Sequence, residues 1–200
     1  MIPQADKSIP IRDIALAEQA ASGDAGAKRT LVERLMPKVR TTIHYLAPQD
    51  RDADDLVQSA FIEILRSVHL FRGESRLETW ATRIAVRCAV AQLRTRRRRF
   101  RLLAPEPDVG EPADNQTPER SSEQYQLRRH IRALLQNLSV DQRTVIVLKL
   151  VHGMSMKEIA DVTDTPLNTA RERLRVGRKQ FRRLMLQDPV LRDWIERRER

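Results

Sequence analysis

Residues 104 to 122 read APEPDVGEPADNQTPERSS, and no packed element can be built from that string. It holds four prolines, one glycine and five acids against a single base, with no apolar periodicity. The stretch predicts a linker over 103–122, so the chain on each side must bury a core of its own. The expected organisation is a first unit over 1–102, a second over 123–186 and a C-terminal extension over 187–200. Units this small bury only a modest share of their surface, and their stability leans on partners.

Both flanks carry helical spacing and almost no strand signal. Alternating β-branched runs are missing, and no Asn-Gly or Asp-Gly hairpin dipeptide occurs. The first unit predicts four helices. One covers Ile11 to Ala21 and stops at Gly23. Asp24 caps the next, with Leu31, Leu35, Val39, Ile43 and Leu46 as its stripe and a kink at Pro37. A third runs from Asp52 to about Leu70, with Leu56, Ala60, Ile64 and Val68 in line and Phe61 and Leu65 beside them. After the break FRGES, Ser75 and Glu78 form a capping box for a helix to about Arg99. Its apolar face includes Leu77, Trp80, Ala81, Ile84, Cys88 and Ala91. In the second unit Thr117-Pro118 opens a helix carrying Tyr125, Leu127, Ile131, Leu134 and Leu135. Capping boxes Ser139/Gln142 and Ser155/Glu158 start two more, and Thr165-Pro166 starts a long one to about Leu186. The tail predicts a short amphipathic helix with Val190, Leu191, Trp194 and Ile195 apolar. The fold class is therefore all-α, two small helical domains on an acidic Pro-rich linker.

Lys and Arg outnumber Asp and Glu by 37 to 27, a formal charge of +10. Such a surface attracts polyanions, nucleic acid first and anionic membrane second. The short helix MKEIADV, the turn TDTP and a basic helix make a helix-turn-helix pattern over 155–183. Asn168, Thr169, Arg171, Glu172 and Arg175 can read base edges in a major groove, while Arg173, Arg178, Lys179 and the later basics grip phosphates. A merely solvated basic helix is the plainer alternative. Arg83, Arg87 and Arg94 recur along one side of the fourth helix, which ends in RTRRRRFR. With Phe71 and Arg72 in the preceding loop, this pairs cationic grip with a stacking group, a combination suited to opened or single-stranded DNA. Trp80 reads as core. Asp52, Asp54, Asp55 and Gln58, alternating with Leu56, Val57 and Phe61, form either a dipole-satisfying helix start or a face for a basic protein partner. Spacing alone leaves both readings open.

Other functions find little support. Cys88 is the one cysteine and lies among apolar neighbours, and the four histidines are scattered, so neither a disulfide nor a zinc pattern arises. No Walker loop or nucleophile elbow occurs. An enzyme is not expected, nor a metal, a cofactor or a small-molecule substrate. The N-terminus lacks a signal-peptide run, and no stretch predicts a membrane span. A stand-alone helix-turn-helix regulator binding operator DNA is the competing function.

DADDLVQSAFIEIL, LFRGESRLETWATRIA and LSVDQRTVIVLKLVHGMSMKEIADVTDTPLNTARERLRVGRKQFRRLM together resemble the extracytoplasmic-function (group IV) sigma factors of the sigma-70 family, over roughly residues 20 to 186. The resemblance implies an RNA polymerase sigma factor that directs promoter recognition, DNA melting and transcription initiation. It implies that the first unit is sigma domain two and the second sigma domain four. Asp52, Asp55, Leu56, Val57, Gln58 and Phe61 would then dock on the clamp helices of the largest core polymerase subunit, with the flap as a further contact. The segment from Phe71 to Arg94 would bind the minus-ten element and capture a flipped base. Leu167 to Lys179 would read the minus-thirty-five duplex. Where the family often has Asn in that pocket, this chain has Arg87, which either selects a different base or holds a phosphate. Glu172 is unusual in the reading helix. The family also implies a cytoplasmic protein, monomeric when free, nucleoid-associated in holoenzyme and open to sequestration by an anti-sigma factor, often membrane-tethered.

Overall fold

The computed structural model describes residues 11–47, 53–102 and 123–198. Asp52, the linker with its Thr117-Pro118 cap, and most side chains of the arginine run after Arg96 lie outside the described residues. Among those described there are no strands.

The first unit comprises α1 (Ile11–Ala21), α2 (Ala25–Leu46), α3 (Ala53–Ser67) with a 3-10 turn at Val68–Leu70, and α4 (Leu77–Leu102). Asp24 caps α2 by accepting from the Ala27 N–H at 2.6 Å. The helix runs on through Pro37 as a single element, because its stripe of Leu31, Leu35, Val39, Ile43 and Leu46 is almost wholly buried on both sides of the proline. That stripe meets Leu56, Ala60 and Ile64 of α3 and Leu77, Ala81, Ala85, Val86, Ala89 and Val90 of α4 in one core. On α4 the buried line falls beside the expected one: Cys88 is half-buried and Ala91 exposed.

The expected capping box at the start of α4 does not form. The Leu77 N–H donates instead to Asp13 Oδ2 of α1 at 3.3 Å. Asp13 is 1% exposed and pairs with Arg34 at 2.8 Å. Arg34 also draws Glu78 to itself at 2.7 Å, leaving Ser75 with a long bond to the Arg76 carbonyl. A charged acceptor from a distant helix has displaced the local one, as a charge-assisted bond outcompetes a neutral hydroxyl.

The second unit comprises α5 (Glu123–Gln136), α6 (Val140–Leu150), α7 (Met156–Thr163), α8 (Leu167–Gln187) and α9 (Pro189–Arg198). Both capping boxes in this half form with both reciprocal bonds, Ser139/Gln142 on α6 and Ser155/Glu158 on α7. Helix α8 departs from expectation by one residue. Pro166 is its N-cap and makes no side-chain bond, while the Thr165 hydroxyl faces Thr163 and accepts from Arg173. The tight turn before it uses Asp164 at φ 49, a left-handed position that Asp tolerates.

Helix α6 is buried from Arg143 through Leu148 without interruption. A helix covered around its whole circumference must have neighbours on several sides. Here α7 and α8 pack on it within its own unit, and α2 and α4 of the first unit pack against it as well. Gly177 lets α8 come close: a Cβ there would sit 3.0 Å from Ile146 Cδ1 and 3.2 Å from Gln142 Cβ. Helix α9 is anchored by fully buried Leu191. Asp188 caps it through the N–H groups of Val190 and Leu191, and also meets His130 at 3.0 Å.

Candidate nucleic-acid interface

Helices α7 and α8 cross with Ile159, Ala160, Val162 and Ala170 buried between them, which fixes α8 as a projecting rod. Its outer side presents Asn168, Thr169, Arg171, Glu172, Arg175, Arg178 and Lys179, all exposed. Glu172 accepts two bonds from Arg175, at 2.6 and 2.8 Å. The Arg175 bond holds the Glu172 carboxyl below the usual carboxylate range. This pair offers a donor and an acceptor together at one step of a groove, the complement of a base-pair edge. Arg173 stands apart from the rest. Only about a quarter exposed, it pairs with Asp141 of α6 at 2.9 Å and reaches Thr165, so it braces the helix-turn-helix and does not face outward.

The second expected surface lies on α4 and the loop before it. Arg72 is exposed. Phe71 is not: at 8% exposure its ring packs edge-on against Trp80, centroids 5.5 Å apart. The stacking role expected of Phe71 is thus unavailable to a ring that seats the loop on the core, and Trp80 is packed beside it as expected. Arg83, Arg87 and Arg94 lie along one side of α4, and each meets the second unit. Arg83 Nη2 pairs with Glu158 Oε1 at 3.2 Å. Arg87 donates to the carbonyls of Asp161 at 3.1 Å and Val162 at 3.4 Å. Arg94 donates twice to Asp141 Oδ1, at 2.7 and 3.1 Å. Nothing in the sequence singled out Asp141, which sits in the first turn of α6, two residues past the Ser139 cap, and is partly exposed. Glu158 serves α7 as its capping residue; the Ser155 N–H chiefly, with further help from Arg83, holds its carboxyl below the usual range.

The third surface divides by burial. Leu56, Val57 and Phe61 are at 7% exposure or less and belong to the core. The outer side of α3 instead presents Asp54, Asp55 and Gln58, exposed together with Ile62, 46% exposed. Ile62 is seven residues from Asp55 and four from Gln58, spacing that puts all three on one face. It was hidden in the sequence because an isoleucine inside an apolar run is counted as core. Cys88 is half-buried, and burial pushes its thiol up from the usual range, which favours the thiol over the thiolate.

Residues 31–99 match the family model for sigma-70 region 2, and residues 128–181 match that for sigma-70 region 4. The ECF RNA polymerase sigma-E factor of Haemophilus influenzae is 34% identical over 175 residues, a span of 82% of this chain and 90% of that protein. The chain belongs to the ECF class of the sigma-70 family. It is an RNA polymerase sigma factor acting in transcription initiation, in a family that is not one of catalytic enzymes. Among solved structures, this sigma factor is similar to CnrH in complex with the cytosolic domain of CnrY, at TM-score 0.58 and 26% identity over 88% of this chain and 98% of that one. It shares its fold with RpoE of Bartonella quintana, solved with the anti-sigma factor NepR, at TM-score 0.62 and 22% identity over 80% and 97% of the two chains. Among the described residues of the sigma factor, no helix is long and apolar enough to cross a membrane.

Proposed function

We propose that this sigma factor divides promoter recognition between two cationic surfaces, one on each unit. The outer side of α8, from Asn168 to Lys179, reads the upstream element as duplex, with Asn168, Arg171, Glu172 and Arg175 toward base edges and Arg178 and Lys179 toward phosphates. Arg72, Arg83, Arg87 and Arg94 hold the downstream element as it opens, while Phe71 shapes the loop. Asp54, Asp55, Gln58 and Ile62 on α3 dock on core polymerase. The first unit ends near residue 102 and the second begins near 123. Catalysis belongs to the polymerase. The protein acts in the cytoplasm, and a regulator of the anti-sigma kind is its third partner, a reading supported by CnrH having been solved with a bound protein chain.

The observation that carries this division is the separate placement of the basic groups. Seven of the eight expected recognition residues are exposed on one helix, while the arginines of α4 form a second row on the other unit. Opening a base step costs a few kcal/mol, which a unit this small would supply only jointly with a larger machine. Run-off transcription with core polymerase on a promoter library is the test. A new transcript that depends on the protein, with sequence preference at two separated elements, is the expected result. A protein that binds a palindrome tightly and leaves the polymerase unaffected would be the stand-alone regulator instead.

A further inference from the structure

Helix α1 takes no part in the surfaces described above, yet it carries Asp13, the one buried acid among the described residues. Its contacts converge on the loop 71–76. Asp13 Oδ2 accepts from the N–H of Leu77, the first residue of α4. The same helix packs on the 3-10 turn Val68–Leu70 that leads into the loop. One helix therefore holds both ends. Between them Phe71 is buried against Trp80, and Gly73 is buried at φ 72, a left-handed conformation open to glycine. Arg72 and Glu74, on either side of Gly73, are exposed. The segment's own sequence favours another closure. A capping box of Ser75 and Glu78 would start the helix at Arg76, one residue earlier, and shorten the loop. Arg34 prevents it by holding Glu78 at 2.7 Å, and it pairs with Asp13 at 2.8 Å as well. A buried carboxylate is tolerated when it is paired and hydrogen-bonded, so α1 cannot shift without stranding that charge.

We propose that Asp13 is a positioning residue for the downstream element: from α1 it keeps the loop 71–76 in its longer form, with Arg72 set toward the opened strand, against the shorter form that the local capping box would give. This rests on the assignment of Arg72 to that element. A loop held at both ends in one shape discriminates between bases. A loop free to exchange between two shapes adapts to the wrong base and loses part of each contact to ordering. The contribution of Asp13 is therefore to selectivity at one element and not to total output.

The test is run-off transcription by core polymerase with the full chain on two pools of barcoded templates. One pool varies the downstream element with the upstream element fixed, and the other does the reverse. The quantity read in each pool is the ratio of output between the preferred sequence and its single-base variants, which does not depend on how much of the protein is folded. Asp13→Ala should lower the downstream ratio roughly fivefold, the equivalent of a lost cap of about 1 kcal/mol, and leave the upstream ratio unchanged. Arg34 keeps Glu78 as a partner in that variant. Asp13→Asn retains an acceptor for the Leu77 N–H and should lower the downstream ratio less; it carries the test if the alanine variant does not fold. Val39→Ala, which opens a cavity in the wholly buried stripe of α2, is the control for lost stability and should leave both ratios as in the wild type. An unchanged downstream ratio in the Asp13 variants, a fall of both ratios together, or an equal fall in Val39→Ala overturns the positioning role. Arg72→Ala separates this failure from failure of the underlying assignment. If Arg72→Ala leaves the downstream ratio intact, the loop does not read that element and the role of Asp13 falls with it. If Arg72→Ala lowers the ratio while the Asp13 variants do not, only the positioning role is wrong.

Discussion

His152 makes the closure of the two units sensitive to acid. The Thr42 hydroxyl donates its one proton to the Lys38 carbonyl at 2.7 Å. The contact of the same oxygen with His152 Nε2 at 3.0 Å therefore has the ring as donor. That fixes the neutral tautomer with hydrogen on Nε2 and a bare Nδ1, which is buried with no hydrogen-bond partner among the described residues. Protonating Nδ1 would place a second N–H where nothing accepts it, and the Lys38 ammonium adds repulsion. Burial first and Lys38 second bring the imidazole down from 6.5 to about 4. Where the units part, the ring returns toward 6.5 and takes up a proton more readily. Closure is then unaffected above that value, weakens as pH falls from 6.5 toward 4, and levels off below. At pH 5 the difference in protonation amounts to about 2 kcal/mol, close to a thirtyfold shift toward the open form. His44 is shifted in the same direction, by burial and then by Arg132 and Arg40, so it belongs in the comparison. Small-angle scattering from about pH 7.5 to 5 on the wild type, His152→Gln and His44→Gln checks the reasoning. The wild type should expand across that range and the His152 variant should expand much less. Identical pH profiles for the wild type and His152→Gln would refute it. The carboxyls held low, Glu158 among them, weaken the structure only below the ordinary carboxylate range and leave this window clear.

Three other outcomes follow from burial and contact. Gly177→Leu should destabilise the second unit by about 1–2 kcal/mol in urea, overpacking against Ile146 and Gln142 outweighing about 1 kcal/mol of helix propensity gained; a variant as stable as the wild type would mean α8 does not need that close approach. Leu56→Ala should cost about 2–5 kcal/mol of stability because the side chain is wholly buried, whereas Ile62→Asp should leave the melting temperature nearly unchanged and weaken binding to core polymerase; equal polymerase affinity for Ile62→Asp and wild type would remove Ile62 from the docking face. Arg171→Ala and Arg175→Ala should reduce transcription mainly from promoters with an intact upstream element, about 1–3 kcal/mol each if they read bases; equal losses on every template would count against base reading.

The helices were legible because their stripes and caps are local. Leu31 to Leu46 on α2 and both capping boxes of the second unit follow from spacing alone, and the structure realises each. The Ser75/Glu78 box failed for a reason the local pattern does not contain. Arg34, more than forty residues away in sequence, claims Glu78, and Asp13 takes over the cap. Phe71 was assigned to a surface because it stands beside basic residues in a loop, and Leu56, Val57 and Phe61 because the resemblance tipped a face that spacing had left open, yet all four are buried in the core. The charged residues beside them, Arg72, Asp55 and Gln58, are the ones exposed. Arg173 was grouped with the DNA-facing arginines because charge says nothing about direction. Its partner Asp141 sits on a different helix, a contact fixed only once α6 and α8 pack. The run from Val145 to Leu148 did hold a neglected signal. Four apolar residues in succession leave no polar side, and such a helix needs more neighbours than one small unit provides.

Asp141 also sets an order of events. It shares α6 with the half of the molecule that carries Arg173, so when the halves separate the carboxylate travels with the recognition helix and leaves Arg94 behind. The upstream reader therefore keeps its brace before and after separation, and its outer edge is presented throughout. On the assignment of surfaces proposed above, the helix that meets intact duplex needs no parting of the halves, whereas Arg94 gives up a carboxylate partner before it can meet a strand.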